Sequence, residues 1–294
     1  MPTSNENTRL PIAPLDTIQY EGLVRQELAV DLGSAGDITT NAIVGADVTA
    51  QARIVARQDG RVCGLGPALC AFFLLGPVRH KPIESDGADV RAGAPLVELQ
   101  GSARVLLSAE RTALNLLGHL SGVATLTRAV VDTVAEVGQS RVVCTRKTTP
   151  GLRTLEKYAV RVGGASNHRF GLHDAVLIKD NHRAVAGSVR AAVEAARASL
   201  GHLVALEIEV DTLEQLEEAL AVGADVVLLD NMSVADLTRA VTMARGRAIT
   251  EASGGITPET IREVAATGVD VISIGWITHS APALDVALDF SVSA

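Results

Sequence analysis

From Arg141 onward, short apolar runs alternate with segments that carry helix punctuation. The runs are Val142–Cys144, Ala175–Ile178, Leu203–Val210, Val226–Leu229, Ala248–Ile249 and Val271–Ile274. Between them, Ser188 and Ser233 stand at helix starts and Thr212-Leu-Glu-Gln has the spacing of a capping box. Thr257-Pro258 places an N-cap before a proline at the first helical position, and Gly201, Gly223 and Gly268 stand at stops. Repeated strand–helix units of this length predict a parallel sheet, either closed into a barrel or doubly wound.

Upstream the pattern changes. A helix over Ile18–Leu28 runs into DLGSAGDITT, whose glycines and Asp37 predict an ordered turn. Ala50–Ala56 and Arg61–Leu65 read as a hairpin around Gln58–Arg61, followed by a second β group over Asp86–Gly93 and Pro95–Gln100. Those turns resemble the barrel-sandwich of lipoyl- and biotinyl-type carriers, but no lysine stands at a hairpin tip, which argues against a carrier role. Ser108 then caps a long helix with Glu110 in its first turn and an apolar stripe of Leu114, Leu117, Leu120 and Ala124. Gly118 and Gly122 share one face and would permit close helix contact. Arg111 projects beside that apolar surface, and taken alone it reads as a surface charge.

The polar residues at the ends of the apolar runs decide between the two sheet architectures. They are Thr145-Arg146-Lys147, Lys179-Asp180-Asn181, Glu209 with Asp211, Asp230-Asn231, Ser253-Gly254-Gly255 and Gly275-Trp276. In a (β/α) barrel, six polar strand ends converge on one rim, where such folds build their active sites. A doubly wound sheet would spread them along an edge and use only the switch point. A barrel is therefore expected.

Composition narrows the class. The 294-residue chain is rich in aliphatic residues and only 2% aromatic, which suits an α/β protein better than a stacking-based nucleic-acid binder. The most apolar stretch, Ala113–Val131, is interrupted by Asn115, His119 and Arg128, short of the roughly 18 apolar residues of a membrane span. The first sixteen residues lack an apolar core and read as a polar, mobile leader. Cys63, Cys70 and Cys144 are odd in number and lack CxxC spacing, so neither a disulfide framework nor a zinc site is indicated, and a reducing cytoplasm is expected.

Charge is unevenly spread. The chain carries a net charge of −8, yet Arg141–Arg183 holds nine Lys or Arg against three acids, Glu156, Asp174 and Asp180. A concentrated positive field on an acidic protein points to a compact polyanionic ligand. Arg153, Lys157 and Arg161 recur at helical spacing and read mostly as solvated helix surface. Arg146, Lys147 and Lys179 come directly after apolar runs and read as ligands. Glu209 and Asp230 would hold ribose hydroxyls or Mg²⁺, or stabilise a cationic sugar, unless they simply neutralise Lys147 and Lys179. The glycines at Ser253-Gly254-Gly255 and Gly275 suit a phosphate, although small residues also make ordinary tight turns. No Walker motif is present, and Gly64-Leu-Gly66 lacks the third glycine of a dinucleotide fingerprint. His168, His173 and His182 match no common metal-ligand spacing.

TRKTTPGLRTLEKYAV, GG-x-x-NHR-x-GL and LIKDNH, together with the later EIEVD, LLDN, SGG and IG-x-x-THS, resemble the quinolinate phosphoribosyltransferases, the carboxylating nicotinate-nucleotide pyrophosphorylases. The likeness runs from about Glu21 to the C-terminus and includes DLG-x-x-GDITT and SAERTALNLLGHLSG. It implies an α/β protein with an N-terminal α/β domain and an incomplete, seven-stranded-type (β/α) barrel. The expected division is residues 1–122, a catalytic barrel over 123–280, and a segment over 281–294 packing back on the N-terminal domain. The implied reaction joins quinolinate to phosphoribosyl pyrophosphate with Mg²⁺, releasing pyrophosphate and carbon dioxide in NAD synthesis.

The resemblance also implies roles. Thr145, Arg146, His168, Arg169 and Lys179 fall on the quinolinate side, with Arg111 reaching in from a partner subunit. Lys147 and Lys179 serve both anions and, with Glu209 and Asp230, form the catalytic set. Ser253, Gly254, Gly255, Ile274, Gly275 and Trp276 line the phosphate loops, and Glu209 and Asp230 take the ribose and the metal, directly or through water. A homodimer with shared active sites, or a higher oligomer, is implied as well. Two departures stand out: Ala165 replaces a third glycine, and Trp276 stands where a small residue is usual. The rival readings are a paralogue linked to molybdenum transport, with a different substrate, and a Schiff-base lyase using Lys147 or Lys179.

Overall fold

The computed structural model describes residues 12–292, so most of the expected polar leader lies outside the described residues. The chain forms two compact units, one comprising the residues up to Ser121 together with those from Leu284 on, the other Gly122–Ala283.

The first unit opens with helices α1 (Glu21–Leu32) and α2 (Ile38–Ile43), then strands β1 (Thr49–Ala56) and β2 (Gly60–Arg61) and helix α3 (Leu65–Leu75). Strands β3 (Val78–Pro82), β4 (Asp89–Val90) and β5 (Pro95–Ser102) lead into the long helix α4 (Ala103–Ala135), which continues into the second unit. The second unit contains β6 (Arg141–Cys144), α5 (Arg153–Val162), β7 (Val176–Ile178), α6 (Asp180–Ala186), α7 (Val189–Ser199) and β8 (Leu206–Val210). It continues through α8 (Leu213–Ala221), β9 (Val226–Asp230), α9 (Val234–Ala244) and β10 (Ile249–Ser253). Helix α10 (Ile261–Ala266), β11 (Val271–Ile274) and the short α11 (Trp276–His279) complete it, and β12 (Val286–Val292) returns to the first unit.

In the first unit an antiparallel sheet runs β12-β1-β5-β3. Ala50, Ala52 and Ile54 alternate inward on β1, so one face meets the core while Gln51 and Arg53 stay outside. The hairpin expected between Ala50–Ala56 and Arg61–Leu65 does not form. β2 pairs with β4, and β1 pairs with β5 and β12. The chain leaves β2 because Ser121 Oγ takes the Cys63 N–H at 3.0 Å and donates to the Cys63 carbonyl at 3.1 Å, while Asp86 accepts the Gly64 and Leu65 N–H groups at the start of α3. Ser108 does not cap α4, which begins five residues earlier. Its hydroxyl instead donates to Asp37 Oδ2 at 3.0 Å, and Asp37, expected in a turn, is the N-cap of α2. Hydrogen bonds from Thr40, more than from Ser108, hold the Asp37 carboxyl below its ordinary pKa.

In the second unit six parallel strands run β6-β11-β10-β9-β8-β7. The two edge strands are consecutive in the chain, and the segment between them lays Ser166 against Val143 of β6 as a parallel bridge. The result is an incomplete barrel, with six regular strands and a one-residue bridge in place of the seven implied by resemblance. The caps at Ser188, Thr212 and Ser233 form as the sequence predicts, each side-chain oxygen accepting an N–H three residues on. Thr257 does not start α10: a turn intervenes, and the helix begins at Ile261. β8 begins at Leu206 rather than Leu203, which is 87% exposed. Gly122 serves a close contact with a loop rather than with a helix, since a Cβ there would meet the Pro282 carbonyl oxygen at 2.0 Å.

Candidate active site

The C-terminal ends of β6 to β11 carry the polar residues expected there. After β6, Thr145 Oγ1 accepts the Lys147 N–H at 3.0 Å, and Thr278 Oγ1 donates to the Lys147 carbonyl at 2.7 Å. The Lys147 side chain passes over the next strand end: its Cδ lies 3.0 Å from where a Cβ on Gly275 would stand. Arg153, read from sequence as helix surface, stitches this loop together. It donates to Thr148 Oγ1 at 3.0 Å and to the carbonyls of Arg146 and Phe170.

Arg146 and Arg169 bring two guanidinium charges near enough to act on one another, with Glu207 and Asp174 also near Arg169. Arg146 Nε is buried and has no hydrogen-bond partner. The Arg169 guanidinium donates from one terminal nitrogen to the Ala175 carbonyl, at 3.1 Å. Burial, and then the Arg146 charge, lower the Arg169 pKa from its ordinary value. Two neighbouring cations with spare donors suit a ligand bearing adjacent carboxylates.

Opposite charges gather at β7 to β9. Lys179 Nζ donates to Glu209 Oε2 at 2.5 Å, and Asn231 Nδ2 to Asp230 Oδ2 at 2.7 Å. Burial, and after it the Glu209 charge, raises the Asp230 carboxyl above its ordinary pKa. Two acids that repel each other at a strand-end rim fit a divalent cation that keeps most of its waters and takes one or two carboxylates.

The glycine loop after β10 is shaped by Asn231. That residue adopts φ 53°, and a Cβ on Gly254 would meet its Oδ1 at 2.4 Å. Gly254 itself sits at φ 83°, so both space and backbone demand glycine there. Trp276 donates its indole N–H to the Ile256 carbonyl at 2.8 Å, which turns the ring sideways between two loops. Ala165 lies outside the left-handed region, whereas Gly164 at φ 96° is the position that needs glycine. Neither departure disturbs the local backbone.

The sequence reading missed three residues. Lys157, grouped with helix surface, is 1% exposed; its ammonium donates to the His168 carbonyl at 3.0 Å and to Cys144 Sγ at 3.2 Å. Glu207 and Glu251, 7% and 4% exposed, stand within strands β8 and β10. His168 Nε2 lies 2.9 Å from Glu207 Oε2 and 3.6 Å from Glu251 Oε1. These three groups are the one His/Cys/Asp/Glu cluster with metal-ligand proximity among the described residues, and neither His173 nor His182 joins it. One signal could have found the acids: each stands two residues before a polar strand-end residue, Glu209 or Ser253, and therefore faces the same way. Arg111 is exposed on α4, in the first unit.

Residues 37–121 match the family described as "Quinolinate phosphoribosyl transferase, N-terminal domain", and 123–289 the corresponding C-terminal domain. A probable nicotinate-nucleotide pyrophosphorylase [carboxylating] of Bacillus subtilis is 42% identical over 283 residues, covering 95% of this chain and 96% of the relative. The nicotinate-nucleotide pyrophosphorylase [carboxylating] of Mycobacterium leprae is 45% identical over 272 residues, covering 90% and 95%. The crystal structure of NadC from Streptococcus pyogenes superposes with a TM-score of 0.92 at 39% identity, covering 96% of this chain and all of the other. Matches in both halves, in one order and over nearly the full length of the relatives, leave one conclusion: the chain belongs to the quinolinate phosphoribosyltransferase family.

Proposed function

We propose that this rim binds quinolinate and phosphoribosyl pyrophosphate side by side and carries the family reaction. The enzyme transfers the phosphoribosyl group to quinolinate with loss of carbon dioxide, in NAD biosynthesis. The observation that carries the residue assignment is the Arg146–Arg169 pair, two mutually repelling guanidiniums of which Arg146 Nε is buried without a hydrogen-bond partner. These two guanidiniums hold the quinolinate carboxylates, with Thr145 beside them and Arg111 of a partner subunit completing the set. Lys147 and Lys179 bridge the two anionic substrates. Ser253, Gly254, Gly255, Ile274, Gly275 and Trp276 line the phosphate loops, and Glu209 and Asp230 face the ribose.

The pyridine nitrogen attacks the anomeric carbon as the bond to pyrophosphate breaks. The pyridinium so formed accepts the electron pair released when the C2–carboxylate bond breaks, and C2 takes up one proton. The protein's residues position the reactants and balance charge throughout. Glu209 and Asp230 would hold Mg²⁺, which supplies charge neutralisation for the pyrophosphate. A homodimer with shared active sites belongs to this reading, since it is what would bring Arg111 of a partner subunit to the rim. No helix among the described residues is long and apolar enough to cross a membrane.

Purified protein supplied with both substrates and Mg²⁺ is expected to release carbon dioxide and pyrophosphate in equal amounts. Turnover of nicotinate, giving pyrophosphate without carbon dioxide, would overturn the assignment. Borohydride inactivation in the presence of a carbonyl substrate would favour the Schiff-base reading instead.

A further inference from the structure

His168 spends both ring nitrogens inside the protein. Nδ1 accepts the Arg169 backbone N–H at 2.7 Å, so that nitrogen carries no proton. Nε2 then bears the proton and donates it to Glu207 Oε2 at 2.9 Å. A ring so engaged has no nitrogen left for a substrate, and the direct contact expected of His168 becomes an indirect one.

The same tautomer decides what the cluster behind it holds. Glu207 Oε1 and Glu251 Oε1 are buried and lack a partner, and the three groups offer atoms within 4.8 Å of one another. A metal on Nε2 would need the ring proton on Nδ1, where the Arg169 N–H already points. A proton on one of the two acids gives the pair a donor and removes one of two buried like charges. Glu251 is the acid that keeps it: burial, then the Glu207 charge, raise its pKa to about 7. Lys157 holds the His168 carbonyl while Glu207 and Glu251 approach its ring, so strand β10, strand β8 and helix α5 all converge on one loop.

We propose that Glu207 and Glu251 are positioning residues of the quinolinate site: a buried hydrogen-bonded chain runs from Glu251 through Glu207 and the His168 ring to the Arg169 amide, and it fixes where the Arg169 guanidinium stands. The inference rests on the reading of Arg169 as a quinolinate ligand. It assigns a binding function to two acids that touch neither substrate.

The experiment measures KM for quinolinate and for phosphoribosyl pyrophosphate separately in the full-length enzyme. Glu251→Leu removes the donor to Glu207 and is expected to raise the quinolinate KM at least tenfold, with the phosphoribosyl pyrophosphate KM changed less than twofold. Glu251→Gln restores an N–H donor without a charge and is expected to bring the quinolinate KM back to within threefold. Equal shifts of both KM values, no shift in either, or no rescue by glutamine would overturn the inference. Arg169→Ala serves as the reference. If it raises the quinolinate KM and Glu251→Leu does not, only the positioning role falls; if Arg169→Ala leaves that KM unchanged, the site reading falls first and takes the positioning role with it. A second measurement uses the unaltered protein, so that a misfolded leucine variant leaves no gap. Ring ¹⁵N shifts of His168, assigned by their loss in His168→Gln, are expected to report protonated Nε2 and bare Nδ1. The reverse tautomer or a doubly protonated ring would refute the chain.

Discussion

Lys157 Nζ lies 3.2 Å from Cys144 Sγ, which ties helix α5 to the end of strand β6 directly beneath the Thr145–Lys147 loop. The thiol in turn donates to Asn167 Oδ1 at 3.2 Å, so one buried ammonium and one buried thiol hold both loops that carry the arginine pair. Among the described residues Lys157 makes no ion pair with a carboxylate, and its hydrogen bonds to neutral partners must offset the cost of burying its charge. Lys157→Ala leaves a cavity and an unpaired His168 carbonyl, and is expected to lower the unfolding free energy by about 3 kcal/mol. Urea unfolding measures it; an unchanged midpoint would mean that the ammonium contributes nothing to the fold.

The raised pKa of Glu251 makes stability depend on pH in a stated direction. Its carboxyl keeps a proton up to about pH 7, whereas the unfolded chain releases it near 4.5. The native state therefore binds more protons between those values, so this group's contribution is most favourable below 4.5 and declines as pH rises to 7. The loss is on the order of 3 kcal/mol. Glu251→Gln cannot titrate, and its unfolding free energy is expected to fall less than that of the unaltered protein between pH 5 and pH 7.5. Parallel pH profiles for the two proteins would contradict the assignment.

Gly254→Ala puts a Cβ against Asn231 Oδ1 and asks alanine to adopt φ 83°. The backbone alone costs roughly 1 kcal/mol, and Asn231 must move as well. Binding of phosphoribosyl pyrophosphate is expected to weaken about tenfold or more while the quinolinate KM changes little, a tenfold loss corresponding to about 1.4 kcal/mol. At Gly255 the nearest contact is a milder 3.5 Å, so Gly255→Ala should affect binding less. Steady-state kinetics of the two variants side by side would reveal the reverse order, if it holds.

A shared active site has a direct signature. Arg111→Ala and Lys147→Ala homodimers are each expected to be inactive. Mixed and allowed to exchange subunits, they are expected to regain up to about a quarter of normal activity per site by random pairing. Exchange can be followed by mass spectrometry under native conditions. Confirmed exchange without recovery would place Arg111 in its own subunit's site or in none.

Much of the rim was legible because strand ends are marked twice, by the apolar run and by the polar residues directly after it. Thr145–Lys147, Lys179, Glu209, Asp230 and Ser253 all stand at or directly after strands where the pattern put them. The caps at Ser188, Thr212 and Ser233 were legible for a local reason, since an N-cap needs only its own first turn. Glu207 and Glu251 were less plain, because their inward face follows only indirectly, from sharing it with Glu209 and Ser253 two residues on. Lys157 was missed similarly. Its spacing from Arg153 and Arg161 gives a common side of α5, but only tertiary packing covers part of that side. Arg161 stays beside the Tyr158 ring, at 5.7 Å from its centre, whereas Lys157 is sealed in. Ser108 misled because α4 extends upstream through residues with no stop signal, and the hairpin failed because Ser121 and Asp86, both distant in sequence, capture the chain after β2.

The pairing of β12 with β1 has a consequence for synthesis. Gln51 and Ser291, opposite one another across the two strands, are 240 positions apart in the chain. While a ribosome is still making the barrel, β1 has β5 on one side and nothing on the other. The nascent protein therefore carries a bare strand edge for most of its elongation, and such an edge is a template for wrong pairing between neighbouring chains. Arg53, one of the outward residues of β1, puts a charge on that strand during the wait.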